Sequence, residues 1–459
     1  MFGFRQFSRS GRVVRGTNLV PIPFAFAGVA IILLAVTLTL DSYFDAPLKQ
    51  RYQWLSVGNI DDARAILGAI LGAVSTVLAL IFSVTLLVFS MAVTQFGPRL
   101  MPYFLRDRTM QVTLGLFLAT FLHSLATFIV TGERGDVVFV PQLTVLTSVA
   151  LVFVSFFYLV VYNNRVAQAI QTNNVLAHIV ETLNKAISEL STQHVIEAHP
   201  EAAVRASESV ETVRARCVTE GASVLALTSG YMQRIDYGRL MRPVEKANAV
   251  VCLMSEPGQF ILEGEVLAQV WPAAKRDDLL SKIQAAVEIG QHRTLDQDID
   301  FAFAQLSEIA IRALSPAVND TYTGLSCIDW VGDALRMLTS FSEADGARRT
   351  AGGRIWSLRP PLRTARIVRT AFDLIREAGA TSPAVLTRLL QTFARLALQL
   401  NNDDQRRAIL DQVEAVRQSA ILLPEVGLDR ETIDAAYHLA RERLAMPTIT
   451  RDLGTAGST

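Results

Sequence analysis

The feature that most constrains this sequence is an uncharged stretch from Ala65 to Phe96, which lies between Arg64 and Arg99. A helix needs about 20 apolar residues to cross a bilayer, and this stretch is well beyond that length. It therefore predicts a membrane-spanning helix. At about 1.5 Å per residue the helix is longer than a hydrocarbon core of about 30 Å, so we expect it to tilt or to project from the membrane.

Small and weakly polar side chains form a stripe along this helix. At about 100° per residue they share one narrow sector, and larger apolar side chains fill the remaining sectors. The stripe consists of Gly68, Gly72, Ser75, Thr76, Ala79, Ser83, Ser90, Thr94 and Gly97. Such a stripe either lines a path for water and ions or lets helices pack closely, as in the G-x-x-x-G pattern. The sequence leaves both interpretations open.

Four apolar stretches are long enough to span a membrane, and they cover about 23–40, 65–96, 110–130 and 141–162. Arginines gather in the loops on one side: Arg5, Arg9, Arg12, Arg15, Arg99, Arg106, Arg108 and Arg165. The opposite loops are mainly acidic: Asp41, Asp45, Asp61, Asp62, Glu133 and Asp136. The positive-inside rule therefore predicts a multi-pass protein of the bacterial inner membrane with both termini in the cytoplasm.

Composition supports a membrane portion followed by a soluble one. The chain has 459 residues, of which 51% are hydrophobic, and charged residues become frequent only after Arg165. Its formal net charge of zero gives no reason to expect a nucleic-acid partner. Cys217, Cys252 and Cys327 lack the C-x-x-C spacing of zinc and redox sites, so we expect buried thiols. We predict neither a metal nor a cofactor.

The predicted architecture is an α-helical membrane bundle of four transmembrane helices followed by a cytoplasmic α+β domain. The expected parts are a transmembrane domain over 1–164, a connecting amphipathic helix over 165–200, a small β-domain over 201–275, a helical domain over 276–447 and a disordered tail over 448–459. The glycine-punctuated β-domain resembles the barrel-sandwich modules of lipoyl and biotinyl carriers, so we expect a small β-barrel-like module. The modified lysine of those carriers has no counterpart here.

Shorter patterns predict the individual elements of the second half. Strands are predicted over 223–227, 250–253, 260–262 and 266–270. Helices are predicted over 275–290, 298–314, 321–341, 361–379, 383–400, 403–422 and 430–445, with a loop over 344–354. A short heptad seam over 165–195 contains Leu176, Val180, Leu183, Ile187 and Leu190. This seam either joins subunits or docks on the soluble domain.

The second half contains one dense polar cluster. Its members are Arg293, Asp296, Asp298, Asp300, Glu308, Arg312, Asn319 and Asp320. Asp298 suits a helix N-cap, Asn319 or Asp320 suits the next, and Glu308 with Arg312 has the spacing of an intrahelical ion pair. The cluster is therefore either a set of caps and polar contacts or a ligand site. In the ligand site, Arg293 and Arg312 would contact an anion, or the three aspartates would bind a cation.

Two long blocks resemble a known family. They are "FSVTLLVFSMAVTQFGPRLMPYFLRDRTMQVTLGLFLATF" and "RTLDQDIDFAFAQLSEIAIRALSPAVNDTYT". Both are similar to the bacterial family of predicted membrane proteins known as domain of unknown function 2254, and the likeness extends to about residue 440. The resemblance implies a multi-spanning membrane protein with a cytoplasmic domain. It implies no substrate, cofactor or catalytic residue.

Ionisable residues are scarce in the predicted spans. His123 lies inside the third span, where a polar group is either a functional site or bonded to a neighbouring helix. No acidic or basic residue lies centrally in any span, which favours passive conduction over coupled transport. We find no catalytic motif, such as a P-loop or a nucleophile elbow, so we predict no catalytic residues and no enzymatic activity.

Two functional hypotheses follow. In the first, the protein is a channel-like homo-oligomer with a regulatory cytoplasmic domain. The candidate pore-lining residues are Ser75, Thr76, Ser83, Leu86, Ser90 and Thr94. In the alternative, the spans anchor a sensor or scaffold whose cytoplasmic domain binds a ligand or a partner protein. The expected partners are thus the lipid bilayer, further copies of the chain, and an ion or small-molecule ligand.

Overall fold

The computed structural model describes most of the chain and divides it into two compact units, Met1–Asn174 and Val175–Thr459. The described residues are 21–51, 57–105, 107–134, 137–169, 171–197, 209–340, 346–350, 353–361, 363–421, 423 and 426–446. The predicted arginines before residue 16 and the predicted tail over 448–459 lie outside these ranges. We refer to the two units as the N-terminal unit and the C-terminal unit.

The N-terminal unit is a bundle of helices. Its long helices are α1 (Pro21–Arg51), α2 (Ile60–Phe96), α4 (Arg108–Val130) and α5 (Gln142–Ala169). Each contains a stretch that is long and apolar enough to cross a membrane, which confirms the four predicted spans. The short helix α3 (Met101–Leu105) follows α2, and strands β1 (Gly132–Arg134) and β2 (Val137–Phe139) form a hairpin between α4 and α5.

Helix α2 begins five residues before the predicted start, because a capping box defines its first turn. Asp62 N–H donates to Asn59 Oδ1 at 2.9 Å, and Asn59 N–H donates to Asp62 Oδ2 at 3.1 Å. The helix ends at Phe96, as predicted, because Gly97 adopts a φ of 92° that glycine tolerates. Helix α4 packs against α1, α2 and α5 and is therefore the centre of the bundle.

The C-terminal unit combines helices with two sheets. Its helices are α6 (Thr172–Glu197, which starts just before the boundary), α7 (Val210–Glu220), α8 (Tyr237–Lys246), α9 (Arg276–Ala286), α10 (Ile299–Leu314), α11 (Thr321–Ser340), α12 (Thr364–Ala378), α13 (Pro383–Leu396), α14 (Asp403–Ala420) and α15 (Gly427–Ala445). Its strands are β3 (Ala222–Leu225), β4 (Gly230–Ile235), β5 (Val250–Leu253), β6 (Phe260–Ile261), β7 (Val266–Trp271), β8 (Val287–Gly290), β9 (Ala347–Arg349) and β10 (Ile355–Leu358).

The larger sheet has the strand order β3-β7-β5-β10-β9, and the smaller one has the order β6-β4-β8. Strands β5 and β10 are parallel, with Ser357 opposite Val251, whereas the other pairs are antiparallel. A shared apolar core includes Leu240, Val251, Leu267, Ile283 and Trp356, all of them almost fully buried. Parallel strands bring their carboxyl ends to one edge of the sheet, and this places the site described below.

The predicted β-barrel-like module over 201–275 is not what the structure shows. Its strands belong to two sheets, and among the described residues no strand pairing closes either sheet into a barrel. Strands β8 and β9 come from later in the chain, where a helix over 275–290 and a loop over 344–354 were expected, and β10 lies in a stretch for which no element was predicted. Val287 and Ile289 end the helix early because they pair with β4 and pack on the apolar core.

Several other predictions are confirmed. Helices α10 to α15 lie within a few residues of the predicted ranges, apart from a short 3-10 turn after α13. The seam of α6 is buried at Leu176, Val180, Leu183 and Ile187, whereas the side chain of Leu190 lies outside the described set. All three cysteines are buried and free.

Candidate functional site

The small-residue stripe of α2 faces away from its own bundle. The buried residues of α2, such as Leu67, Val74, Ile81 and Ala92, occupy one side of the helix. The stripe lies on the opposite side, because Ser75, Thr76, Ser83, Ser90 and Thr94 are all exposed in the single chain, as is the candidate pore-lining residue Leu86 between them. A Cβ added at Gly68 or Gly72 would meet no atom within 4 Å. Packing within this bundle therefore does not account for the stripe.

The stripe hydroxyls are bonded to their own helix. Ser75 donates to Leu71 O at 2.6 Å, and Thr76 donates to Gly72 O at 2.9 Å. Ser83 and Thr94 make the same bond to the carbonyl four residues earlier. Each hydroxyl proton is thus used, while the oxygen retains acceptor capacity on the exposed face.

Polar side chains inside the N-terminal unit join helices to one another. His123 Nδ1 lies 3.0 Å from Ser148 Oγ, Thr120 Oγ1 lies 2.8 Å from Ser155 Oγ, and Thr85 Oγ1 lies 2.9 Å from Tyr162 Oη. The three partners on α5 are seven residues apart, so they share one face of that helix. His123 is therefore bonded to a neighbouring helix rather than isolated.

Asp41 near the end of the first span caps α5, a role that no sequence pattern predicts. Its carboxylate is 2% exposed and accepts the N–H groups of Leu143 and Thr144 at 2.8 and 2.9 Å. It also accepts the hydroxyl of Thr144 at 2.6 Å. A carboxylate at a helix N-terminus satisfies unpaired N–H groups and complements the helix dipole.

In the C-terminal unit, polar residues gather at the carboxyl ends of β5 and β10. The loop after β5 contains Ser255, Glu256 and Pro257, and the segment after β10 begins with Arg359. These residues, together with the loop before α10, surround a cavity of about 60 Å³. Its charged lining residues are Glu256, Asp296, Asp298, Asp300, Arg348, Arg359 and Arg366.

Asp298 is the most buried member of the predicted cluster. Its side chain is 2% exposed, it accepts the N–H of Phe301 at 3.0 Å as the N-cap of α10, and Arg293 binds both of its oxygens at 2.7 and 2.8 Å. The guanidinium of Arg293 also lies over the ring of Phe301. Gly258 has a φ of 96°, and any side chain there would clash with the Asp298 carboxylate.

Arg366 on α12 connects two further acids of the cavity. Its Nη2 lies 2.7 Å from Glu256 Oε2 and 2.9 Å from Asp300 Oδ2. Burial alone would lower the pKa of Arg366, but its hydrogen bond to Glu256 and the charges of the neighbouring acids outweigh burial and raise it. Burial also raises the pKa of Asp300 above its ordinary value, and the charge of Arg366 opposes that shift.

A wider cleft of about 450 Å³ adjoins this cavity and shares Glu256 and Arg366 with it. The residues around the cleft are Met254, Glu256, Gln259, Pro360, Pro361, Arg363, Ala365, Arg366 and Arg369. Its volume falls in the range of about 300–1,000 Å³ that is usual for small-molecule sites.

The structure brings only part of the predicted cluster together. Asp296, Asp298 and Asp300 line the small cavity, and Arg293 supports it through Asp298. Glu308 and Arg312 form the expected pair at 3.2 Å on α10, and Asp320 caps α11 by accepting the N–H of Thr323 at 3.0 Å. Asn319, which precedes that cap, has a φ of 50°. None of these four residues lines either cavity.

Sequence reasoning missed Glu256, Arg348, Arg359, Arg363, Arg366 and Arg369. Arg366 and Glu256 are 110 residues apart in the chain, so no local spacing indicates their contact. The sequence feature that could have indicated this site is the group of four arginines over 359–369, which lies at the start of a predicted helix.

Comparisons with known proteins agree with this architecture. The family model described as "Predicted membrane protein (DUF2254)" matches residues 16–395. The chain belongs to this family. Uncharacterised proteins of Mycobacterium bovis and of two strains of Mycobacterium tuberculosis are 30% identical to it over 370 residues, which cover 79% of this chain and 69% of each relative. No solved structure matches the chain. The DUF2254 chain is thus a membrane protein with several candidate spans, and its family carries no assigned activity.

Proposed function

We propose that this DUF2254 protein is a channel-like homo-oligomer, in which the α2 stripes of neighbouring subunits meet and line a shared path. The observation that carries this proposal is the exposure of the stripe on the side of α2 opposite the bundle. Small side chains make few contacts with lipid, but glycine and serine allow the backbones of two helices to approach closely. A second copy of the chain is the natural partner for such a face.

The chemistry of the stripe supports a path for ions or water. Four stripe hydroxyls donate hydrogen bonds to backbone carbonyls of their own helix: those of Ser75, Thr76, Ser83 and Thr94. Their oxygens can therefore still accept hydrogen bonds or contact cations on the exposed face. Oxygen acceptors without fixed charge solvate cations. Leu86 interrupts the hydroxyls and is 66% exposed, which suits an apolar constriction that controls wetting.

The distribution of arginines supports the orientation that we propose for the protein in the membrane. The positive-inside rule favours a cytoplasmic location for both termini, and we propose that the C-terminal unit is a regulatory domain on the cytoplasmic side of the inner membrane. Protease protection in vesicles of known sidedness tests this orientation. Cleavage of the C-terminal unit only from the periplasmic face would contradict it.

Cysteine cross-linking tests the shared interface directly. The three native cysteines are buried, so the wild-type chain is a suitable background. We expect Ser83→Cys to form intermolecular disulfides in membranes. Phe157→Cys is the control, because Phe157 is 73% exposed on α5 and lies outside the stripe. Equal cross-linking at both positions, or at neither, would contradict an interface on the α2 stripe.

Ion flux in liposomes tests conduction. Leu86→Ser is expected to raise flux, and Leu80→Ser to leave it unchanged, because Leu80 is 61% exposed on the same helix but lies outside the stripe. Both variants remove similar apolar area from the same surface, so any effect of lipid exposure is shared. Absence of flux for common cations and anions, from protein shown to be folded and oligomeric, would overturn the channel proposal.

The alternative function is a membrane-anchored sensor or scaffold, and the cleft at the ends of β5 and β10 favours it. In open sheets, ligands bind outside the carboxyl ends of parallel strands. The two functions are compatible, since a ligand of the C-terminal unit would regulate the membrane unit.

A further inference from the structure

The wider cleft has a position typical of a binding site. Strands β5 and β10 run parallel, and their carboxyl ends lead into Met254 on one side and into Pro360 and Pro361 on the other. Helix α12 begins at the same edge and presents its first turn to the cleft. The volume of about 450 Å³ is far larger than a single ion requires.

The charge of the cleft selects an anionic ligand. Arg363, Arg366 and Arg369 line it, against the single acid Glu256, so three positive charges face one negative charge. Arg366 and Arg369 lie three residues apart on α12, and Arg363 is its N-cap residue, so all three lie at the N-terminal end of this helix. Arg366 is held by its two carboxylates, whereas Arg363 and Arg369 are exposed and make no ion pair with any residue that the structure describes.

The start of α12 adds to this positive field. Its first turn contains no acidic residue, and its N-cap position, Arg363, provides no side-chain acceptor for the backbone N–H groups. The partial positive charge of this helix N-terminus therefore adds to the positive charge of the arginines at the cleft. Among the described residues, no group of three or more acidic, histidine or cysteine side chains is arranged to hold a metal ion, which argues against a cation here.

We infer that this cleft binds a phosphate-bearing compound. Arg363 and Arg369 donate to the phosphate oxygens, since the guanidinium fork matches phosphate in a bidentate manner. Met254, Pro360 and Pro361 contact the apolar part of the ligand. Arg366, with Glu256 and Asp300, fixes the floor of the cleft. This inference deepens the sensor alternative and does not depend on conduction through α2.

Binding is tested on the full-length protein in detergent by isothermal titration calorimetry, with pyrophosphate as the soluble probe. A second arm uses dihexanoyl phosphatidylglycerol, because a lipid headgroup offers the same phosphate chemistry. We expect saturable binding in at least one arm. Binding of pyrophosphate indicates that the natural ligand is a soluble phosphate compound. Binding of the short-chain lipid alone indicates a lipid headgroup.

The double variant Arg363→Ala/Arg369→Ala should weaken binding at least tenfold. Arg407→Ala is the matched control, since Arg407 is exposed on α14 and lies outside the cleft, and it should bind as the wild type does. Circular dichroism melts test whether both variants are folded. The conservative double variant Arg363→Lys/Arg369→Lys should retain part of the affinity, because it keeps both positive charges. Equal affinities of the double variant and the wild type would overturn the assignment.

A thermal-shift panel separates the failure of this inference from that of the sensor alternative. Stabilisation by cationic or neutral metabolites, with none by either phosphate probe, would overturn the phosphate assignment and keep a sensor role. Absence of stabilisation by every compound in the panel would count against both.

Discussion

Arg366 donates a hydrogen bond from Nη2 to Glu256 Oε2 at 2.7 Å, which joins the first turn of α12 to the loop after β5. The same nitrogen reaches Asp300 at the start of α10. One side chain thus holds together three segments around the two cavities. Glu256 is 12% exposed and Asp300 is 21% exposed, so Arg366 provides a positive charge to two carboxylates that solvent reaches only in part.

Arg366→Ala should destabilise the C-terminal unit by about 1–2 kcal/mol, since two partly buried carboxylates lose their counter-charge. The loss should be smaller than for a fully buried ion pair, because Arg366 itself is 40% exposed. Chemical unfolding of the full-length protein in detergent measures the change. Arg407→Ala is the control and should stay within about 0.5 kcal/mol of the wild type. Equal effects of the two variants would refute a structural role for Arg366.

Asp298→Ala should cost about 3 kcal/mol, because it removes the N-cap of α10 and leaves Arg293 without its bidentate partner. Asp296→Ala is the matched control, since Asp296 is exposed and lies only two residues away. It should change the unfolding free energy by less than about 0.5 kcal/mol. Similar losses at both positions would show that the loop, rather than the cap and the ion pair, is what matters.

The raised pKa of Asp300 predicts a pH dependence. Burial raises this pKa above its ordinary value of 3.8, so the folded state binds the proton more tightly than the unfolded state. The contribution of Asp300 to stability is therefore present at low pH and is lost as the pH rises through the folded-state pKa. In thermal melts, the stability of Asp300→Asn relative to the wild type should therefore increase as the pH rises from 4 to 7. A constant difference across this window would contradict the prediction.

Asp41→Ala should destabilise the N-terminal unit by about 2–3 kcal/mol, because two backbone N–H groups at the start of α5 lose their acceptor. Asp41→Asn keeps an acceptor oxygen and should cost less. Thr39→Ala serves as the control, since Thr39 is exposed and its hydroxyl donates to the carbonyl of Val36 on the same helix. Thermal melts in detergent rank the three variants, and a loss for Thr39→Ala as large as that for Asp41→Ala would refute the capping role.

The sequence predicted what depends on local or periodic signals. The four spans follow from apolar length, and the cap at Asp298 and the pair of Glu308 with Arg312 follow from helix spacing. The two sheets did not follow, because β4 pairs with β8 more than fifty positions later and β5 pairs with β10 more than a hundred later. A short stretch such as Val287–Gly290, with an apolar residue on either side of Glu288, fits a helix or a strand until its partners are known.

The same distinction applies to the candidate sites. The α2 stripe is visible on a helical wheel, but its direction is not, since only packing shows that Leu67 and Val74 face the bundle and Ser75 faces outward. The cleft arginines were not singled out, because their shared position depends on how β10 and α12 meet at the edge of the sheet. Asp41 was interpreted as a loop residue because its partners lie about a hundred residues away.

Assembly through the α2 stripe is tested by the mass of the protein in mild detergent, measured by light scattering coupled to size exclusion. We expect at least twice the 50.4 kDa of one chain for the wild type. Gly72→Leu should reduce the mass to that of one chain, whereas Gly28→Leu on α1 should not, although an added Cβ meets no atom within 4 Å at either position. A wild-type mass of one chain would contradict assembly through the α2 stripe.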